Sequence, residues 1–301
     1  MRSRARAGRS ASTPSGRDER SPRATAGAAP CKSRGRRAGK PARGRGIFPM
    51  TTGFARHTVA MIATHGRDPL HTLERKLDPS HCALVVIDML NDFCADGGAM
   101  AEEGLDVSPA QRMAGRLPAV IDSARDAGAL VVFVRNVYST DDDTYLSDVW
   151  LEQAGRRREG SYVERPVCAP DSWGSDFYSD VRPLAGEPIV TKHRFDAFLN
   201  TDLDLILRSN GIRSVVIAGV ATNVCVETSV RHAFVSDYYV VVPSDGAAAY
   251  SSEEQAASLA TIDRYFGQVS SCDEIAAIWD AGRGSVSEAI RQGGHVEQHT
   301  R

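Results

Sequence analysis

Three residues with complementary chemistry follow three separate apolar segments of the sequence. Asp88, Lys192 and Cys225 each lie at or just past the end of a short run rich in Val, Ile and Leu. A thiol with a pKa of ~8.5 is mostly protonated at neutral pH and needs help to become a nucleophile. Because an acid can accept the thiol proton and an ammonium can stabilise the thiolate, this combination predicts nucleophilic chemistry at Cys225.

The residues just before Cys225 support this interpretation. The segment Ala221–Cys225 (ATNVC) lies where a strand-like run ends and a helix-like segment begins. Backbone N–H groups at the start of a helix have no partner within the helix and favour an anion. They are candidates to stabilise a thiolate and to hold the oxyanion that forms when a carbonyl group is attacked.

Each of the three residues also has a simpler interpretation. An Asp at the end of a strand is most often a cap or turn residue, an isolated Lys is most often on the surface, and an isolated Cys is most often a packing residue. Their placement favours a shared site, because the carboxyl ends of parallel strands meet at one edge of a sheet. The pattern alone leaves both interpretations open.

The elements that must position these residues alternate between strand-like and helix-like segments. Continuous apolar runs predict strands at 83–88, 129–135, 189–191, 214–219 and 239–242. Periodic patterns with caps or stops predict helices at 108–128, 203–209, 223–236 and 252–266, the last of these being the final long helix. Strands of this kind are covered on both faces, so the sequence predicts an α/β fold, a three-layer α/β/α doubly wound, Rossmann-like and mainly parallel sheet.

Two further features of the body bear on its ligands. The polar, poorly periodic stretch Tyr138–Trp173 is long for a connection and predicts a lid or a binding loop. No G-x-G-x-x-G motif follows a predicted strand, so we expect no dinucleotide site.

Charge divides the chain into a basic leader and an acidic body. Residues 1–46 hold twelve Arg and two Lys but only Asp18 and Glu19, with no aromatic residue, which leaves 22 basic and 36 acidic residues in 47–301. We therefore predict a disordered leader over 1–60 and a single domain over 61–301. The leader could be a nucleic-acid-binding tail, a transit peptide, or a segment that is not translated because synthesis begins at Met50 or Met61. The acidic body argues against nucleic acid or an anionic membrane as its partner.

The six cysteines predict a reduced environment. They form no C-x-x-C motif and no zinc-finger spacing with histidine. The sequence has no apolar run of ~18 residues and no signal-peptide core, so we expect a cytoplasmic protein that does not span a membrane. Most of these thiols, Cys94 and Cys168 among them, are expected to be packing residues.

Three blocks of the sequence closely resemble the signature of the isochorismatase-like cysteine hydrolases. They are VVIDMLNDF at 85–93, Thr191-Lys192, and GVATNVCVETS at 219–229, within a similarity that runs from about residue 80 to 271. The resemblance implies a catalytic triad of Asp88, Lys192 and Cys225. It also implies a cis peptide bond between Val220 and Ala221, which directs the amides of Ala221 and Cys225 into an oxyanion hole.

Branches of this family differ in substrate, and the sequence favours one of them. Nicotinamidases carry an Asp-x-His metal cluster after the second strand, but here Val134–Tyr138 contains no His, so we expect no metal and no cofactor. Isochorismatases usually lack the Cys. The chain most resembles the ureidoacrylate, biuret and carbamoylsarcosine amidohydrolases, whose substrate-pocket positions fall at Asn136, Tyr138, Trp173, Phe195 and Phe198. An Asn amide both donates and accepts hydrogen bonds, which suits a ureido group.

The resemblance predicts cleavage of a C–N bond in a small amide or ureido substrate through a cysteine thioester. Two alternatives are an isochorismatase-type vinyl-ether hydrolase and a non-catalytic small-molecule-binding protein of the same fold. The family also implies a homo-oligomer, either a dimer or a tetramer. Of the nearby histidines, His193 is expected to point away from Lys192, and His232 to be a packing or surface residue.

We predict that the leader is dispensable. A chain beginning at Met61 should melt within ~5 °C of the full chain at physiological salt, because a segment without apolar periodicity has nothing to bury. Its remaining contacts would be ionic and screened by salt. The measurement compares melting temperature and kcat/KM of the two chains. A larger drop in melting temperature would show that the leader packs, and a loss of turnover alone would show that it reaches the active site.

Overall fold

A parallel β-sheet forms the middle layer of the protein. The computed structural model describes residues 67–138, 142, 144–157, 162 and 164–292. The predicted leader lies outside these residues. Seven strands form the sheet: β1 (Cys82–Ile87), β2 (Leu130–Asn136), β3 (Ile189–Lys192), β4 (Ser214–Val220), β5 (Tyr239–Pro243), β6 (Ala247–Ala248) and β7 (Gln268–Ser270).

The order of the strands reverses between β1 and β4, which leaves a crevice beyond the carboxyl ends of these two strands. The sheet runs β3-β2-β1-β4-β5-β7, with β6 paired to the end of β4, and each of these pairs is parallel. From β1 the chain proceeds outwards through β2 to β3, then returns to β4 and proceeds to the other edge. Ligands of doubly wound sheets bind beyond the carboxyl ends of the strands at such a reversal.

Helices cover the sheet. They are α1 (Leu73–Lys76), α2 (Asn91–Cys94), α3 (Ala99–Glu102), α4 (Ser108–Ala114), α5 (Leu117–Ala127), α6 (Asp148–Arg157), α7 (Leu203–Ser209), α8 (Glu227–Val235), α9 (Ser252–Tyr265) and α10 (Cys272–Gln292). A 3-10 turn occupies Trp173–Ser175, and a π-helical turn at Thr222–Val226 leads into α8. None of the helices among the described residues has the length and apolarity needed to cross a membrane.

The two faces of the sheet pack into two separate cores. In β1, Leu84 and Val86 belong to the core formed with α1, α4, α5 and α10, whereas Val85 and Ile87 belong to the core formed with α7, α8 and α9. All six residues of β1 are buried, as are all seven of β4. Burial on both faces explains why these strands are continuous apolar runs. The predicted three-layer α/β/α fold is confirmed.

The structure corrects three predicted elements. The single helix predicted at 108–128 is two helices, because Pro118 near the start of α5 has no N–H to donate to Ala114. The helix at 252–266 is not the final long one, since α10 is longer and is held by Trp279, whose Nε1 donates to Leu77 O at 2.8 Å. The connection 138–173, which we expected to be irregular, contains α6.

Gly219 allows β4 to approach β1 where both strands end. Its φ is 120°, and a Cβ at this position would lie 2.0 Å from the carbonyl oxygen of Ile87. Its N–H donates to Gly246 O at 2.9 Å. A side chain here would separate the two central strands one residue before Asp88.

We therefore predict that Gly219→Ala is strongly destabilising. The combined clash and backbone strain should lower the free energy of unfolding by at least ~3 kcal/mol. Urea denaturation would measure this change, with Gly115→Ala as the matched control. A Cβ at Gly115 would make an ordinary 3.5 Å contact, so the control should stay within ~1 kcal/mol of the parent. Equal stability of both variants would contradict the proposed close approach.

Candidate active site

Four adjacent strands each deliver one polar side chain to the same edge of the sheet. In the order of the strands these are Lys192 at the end of β3, Asn136 at the end of β2, Asp88 directly after β1, and Cys225 beyond β4. Lys192 and Asn136 are also direct partners in the β2–β3 register. The parallel topology therefore brings four distant parts of the sequence together as one row of side chains.

Asp88 turns sharply out of β1. Its φ is 54°, in the left-handed region, while its N–H still donates to Val134 O at 2.9 Å, as a continuing strand would. This backbone conformation is costly for a residue other than Gly and persists where its surroundings hold it. The carbonyl of Asp88 accepts from Leu90 N at 2.8 Å, which closes the turn into α2.

Lys192 lies at the centre of the polar cluster. Its Nζ is 2.6 Å from Asp88 Oδ2, and both side chains are fully buried. The same ammonium donates to Asn136 Oδ1 at 3.3 Å, to Arg194 O at 3.1 Å and to Cys225 Sγ at 3.5 Å. The contact with Asp88 is a buried ion pair, and the Asp88 carboxylate also lies within reach of the Cys225 thiol.

Burial and charge act in opposite directions on the Asp88–Lys192 pair. Burial raises the pKa of Asp88 above its usual 3.8, although the Lys192 charge opposes this. Burial also acts to lower the pKa of Lys192, but Asp88 and Cys225 outweigh it and the pKa lies above 10.5. The lysine is therefore a permanent cation at neutral pH, while the carboxylate is a better proton acceptor than an exposed Asp.

The Cys225 thiol is protonated in the resting site. Burial, together with the Asp88 charge and against the Lys192 charge, raises the pKa of Cys225 to about 12. The sequence, with a helix start and a nearby Lys, predicts a stabilised thiolate instead. Burial outweighs the Lys192 charge, so the thiolate forms by transfer of the proton to a group within the site.

Such a transfer leaves the net charge of the site unchanged. Thiol, carboxylate and ammonium sum to zero, and the sum is still zero after the proton moves from Cys225 to Asp88. Creating an isolated charge in a buried site is expensive, whereas moving a proton between two neighbours of one cation is not. The geometry therefore suits activation of Cys225 by Asp88.

The backbone beside Cys225 has the predicted form. The peptide bond between Val220 and Ala221 is cis. The carbonyl of Ala221 accepts from Val224 N at 3.0 Å and from Val226 N at 3.2 Å, which winds the π-helical turn that carries Cys225. The role of the Ala221 and Cys225 amides in an oxyanion hole stays a prediction.

A small cavity of about 40 Å³ lies in front of Cys225. Its described wall combines the cis-peptide segment, the thiol and five aromatic side chains: Phe93, Tyr138, Tyr162, Phe195 and Tyr250. Cys225 itself is 6% exposed. Cys225 therefore faces a small cavity with a mainly apolar lining, as pockets that bind small molecules commonly have.

The structure brings three of the five predicted substrate-binding residues to this site. Tyr138 and Phe195 line the cavity, and Asn136 is fully buried against Lys192, with its Nδ2 lacking a partner. Trp173 is 55% exposed and Phe198 packs against His232 on the opposite face of the sheet. The structure does not bring these last two residues to the cavity.

The remaining candidates lie outside the reacting cluster. His193 donates from Nδ1 to Val137 O at 2.8 Å, and its ring stacks on Tyr145. His232 pairs with Asp196 at 2.6 Å. Cys94 and Cys168 are fully buried, and burial raises the pKa of both thiols.

Sequence reasoning missed several residues of the cavity wall. Phe93 lies at the end of the family block at 85–93, and its place in that block indicates proximity to Asp88. Met100, Tyr162, Val167 and Tyr250 come from a short helix and from connections, where no sequence pattern indicates which side chains turn inwards. No group of three or more His, Cys, Asp or Glu side chains suited to a metal occurs within the described part of the chain.

Comparison with known proteins identifies the family. The chain matches the Isochorismatase domain over residues 82–274, more than half of its length, and this range includes Asp88, Lys192 and Cys225. The chain belongs to the isochorismatase-domain family. The expected resemblance is thereby confirmed.

Curated relatives of this isochorismatase-domain protein are named ureidoacrylate amidohydrolase RutB. The relative from Agrobacterium fabrum is 30% identical over 211 residues, covering 67% of this chain and 91% of the relative. The relative from Variovorax paradoxus is 34% identical, covering 66% and 81%. The crystal structure of N-carbamoylsarcosine amidase from Thermoplasma acidophilum is similar, with 28% identity and a TM-score of 0.52 over 64% of this chain and 97% of that chain.

The electrostatics of this isochorismatase-domain site predict the effect of Asp88→Asn on the thiol. Because Asp88 raises the pKa of Cys225 and Lys192 lowers it, removing the carboxylate should lower the thiol pKa by at least ~1 unit. The thiolate then becomes the anion that pairs with the ammonium. The pH dependence of iodoacetamide alkylation at Cys225, followed by mass spectrometry, measures this shift.

Two further variants control the alkylation experiment. Lys192→Met removes the cation and should move the alkylation midpoint to higher pH, and Cys225→Ala reports alkylation of the other thiols. Circular dichroism shows which variants fold, since breaking a buried ion pair can cost ~3–5 kcal/mol. An unchanged or higher midpoint in folded Asp88→Asn would show that Asp88 does not control the thiol.

Proposed function

We propose that the protein hydrolyses a C–N bond of a small ureido, carbamoyl or carboxamide substrate through a thioester at Cys225. The observation that carries this proposal is the buried cluster of Asp88, Lys192 and Cys225, whose thiol lines an aromatic cavity. The names of the relatives support it, because ureidoacrylate amidohydrolases and N-carbamoylsarcosine amidase are named for C–N cleavage.

The first step forms the carbon–sulfur bond. Asp88 accepts the Cys225 proton as the sulfur attacks the substrate carbonyl, and the carbonyl electrons move to its oxygen. The amides of Ala221 and Cys225 are the proposed donors to this oxyanion. Lys192 stays protonated and stabilises the negative charge wherever it lies, on Asp88, on sulfur or on the intermediate.

The second step breaks the C–N bond and restores the enzyme. As the carbonyl re-forms, the nitrogen leaves with the proton held by Asp88, as ammonia or an amine. Asp88, again a carboxylate, then accepts a proton from water, whose oxygen attacks the thioester. Breakage of the carbon–sulfur bond gives a carboxylic or carbamic acid, and the proton returns to Cys225.

A substrate panel with three variants tests this function. Ammonia release should occur from at least one member of a panel of ureido acids, biuret, substituted ureas and simple carboxamides. Cys225→Ala and Cys225→Ser should lower kcat by roughly 10³-fold or more while the fold is kept. A methyl group cannot attack a carbonyl, and a hydroxyl is a much weaker nucleophile than a thiolate. Cys272→Ala removes a buried thiol that does not line the cavity and should keep its activity.

The outcomes separate this proposal from its alternatives. Turnover in Cys225→Ala within ~10-fold of the parent, with contamination excluded, would remove the nucleophile assignment. Hydrolysis of a vinyl ether without any amide cleavage would indicate an isochorismatase-type reaction. Saturable binding of panel compounds without any reaction would indicate a binding protein.

A further inference from the structure

The carboxylate of Asp92 links two other segments to α2. Its Oδ1 accepts from the backbone N–H of Ala99 at 3.2 Å, and its Oδ2 accepts from that of Cys168 at 2.6 Å. Ala99 is the first residue of α3, whose N-cap residue, Gly98, has no side chain that could accept a hydrogen bond, so Asp92 supplies an acceptor from α2. One side chain therefore fixes the start of α3 and the turn at Cys168 relative to α2.

The connection that contains Cys168 is closely attached to α2. A Cβ at Gly174 would lie 2.3 Å from Asp92 Oδ2, so the connection leaves no room for a side chain beside the carboxylate. The φ of Cys168 is 50°, a conformation that is costly for a residue other than Gly and persists where contacts such as the one with Asp92 hold it. Asn91 Nδ2 also donates to Trp173 O at 2.8 Å.

Each of the three segments joined by Asp92 supplies a residue of the cavity wall. Phe93 follows Asp92 on α2, Met100 is the second residue of α3, and Val167 directly precedes the turn. All three line the cavity in front of Cys225. At about 40 Å³ the cavity has room for roughly three water molecules, so a small displacement of any of these segments changes what fits beside the thiol.

We propose that Asp92 is a positioning residue that sets the size of the ligand that can reach Cys225. Its hydrogen bonds hold the main chain of the wall, whereas the charges that govern the thiol are those of Lys192 and Asp88. Loss of the carboxylate deprives two N–H groups of their acceptor, which favours local opening of the wall and leaves the proton chemistry of the thiol unchanged. This role requires only that Cys225 faces the cavity, whichever bond is cleaved there.

Alkylation of Cys225 by two reagents of different size tests this role in the full chain. Iodoacetamide and N-benzyl iodoacetamide carry the same reactive group, so the ratio of their rate constants at one pH cancels the thiolate fraction and reports access alone. Asp92→Asn keeps the shape of the side chain but turns one acceptor into a donor. The larger reagent should gain at least ~10-fold relative to the smaller one, because the wall opens more often. The pH midpoint of alkylation should not move, in contrast to Asp88→Asn.

Three further variants control the comparison. Gly174→Ala should reproduce the gain, because its Cβ displaces the Asp92 carboxylate without altering any charge. Gly97→Ala is its matched control, since a Cβ there would make an ordinary 3.8 Å contact with Trp173. Glu102→Gln removes one charge from the exposed side of α3 and should keep the ratio within roughly twofold of the parent. Circular dichroism shows which variants fold, and either Asp92→Asn or Gly174→Ala suffices for the test.

Mass spectrometry of the other thiols separates a positioning role from general loosening. In Asp92→Asn, alkylation of Cys168 should rise while the buried Cys82 and Cys272 stay unmodified. An unchanged ratio in a folded variant that disturbs the carboxylate, an equal gain in the charge control, or alkylation of all three thiols would each contradict this role of Asp92. Absence of C–N cleavage by the parent protein across the substrate panel would overturn the proposed function and leave the alkylation result standing.

Discussion

The buried ion pair between Asp88 and Lys192 is the constraint on which the rest of the site depends. Neither ion is stable alone in a dry interior, because loss of hydration costs several kcal/mol for each. Their 2.6 Å contact offsets part of this cost, and Asn136 Oδ1 and Arg194 O satisfy further protons of the ammonium. The cation then influences Cys225, whose thiol would otherwise be an inert buried group.

The order of the strands β3-β2-β1-β4 brings the residues of this cluster together. Lys192 reaches Asp88 across the end of β2, and the residue at that point is Asn136, a side chain that can accept from the ammonium without adding charge. Cys225 arrives from β4 on the other side of β1, where Gly219 permits close contact of the two strands. β1 and β4 are buried on both faces, so the centre of the sheet cannot shift without disturbing two cores.

The cavity wall comes from other elements than the polar cluster. Asp88, Lys192 and Cys225 lie at or just beyond the ends of strands, but the cavity wall comes largely from α2, α3 and the connections that follow β2, β3 and β6. Trp150 on α6 contacts Tyr138 and Phe195, at 5.2 and 4.7 Å between centroids, so this connection supports the aromatic wall. The wall can therefore vary with little effect on the row of charges below it, as in other folds that carry function on loops.

The sequence by itself determined the parallel sheet and the positions of Asp88, Lys192 and Cys225 at the ends of strands. Strands that are buried on both faces are continuous apolar runs, and the residue at which such a run ends can be identified from the sequence alone. Only the tertiary structure decided the protonation of Cys225, since local signals favour a thiolate and burial by distant segments raises its pKa to about 12. It likewise placed Met100, Tyr162, Val167 and Tyr250 in the cavity and kept Trp173 and Phe198 away from it. The sequence records residue types, whereas burial and distance depend on contacts between segments that are far apart along the chain.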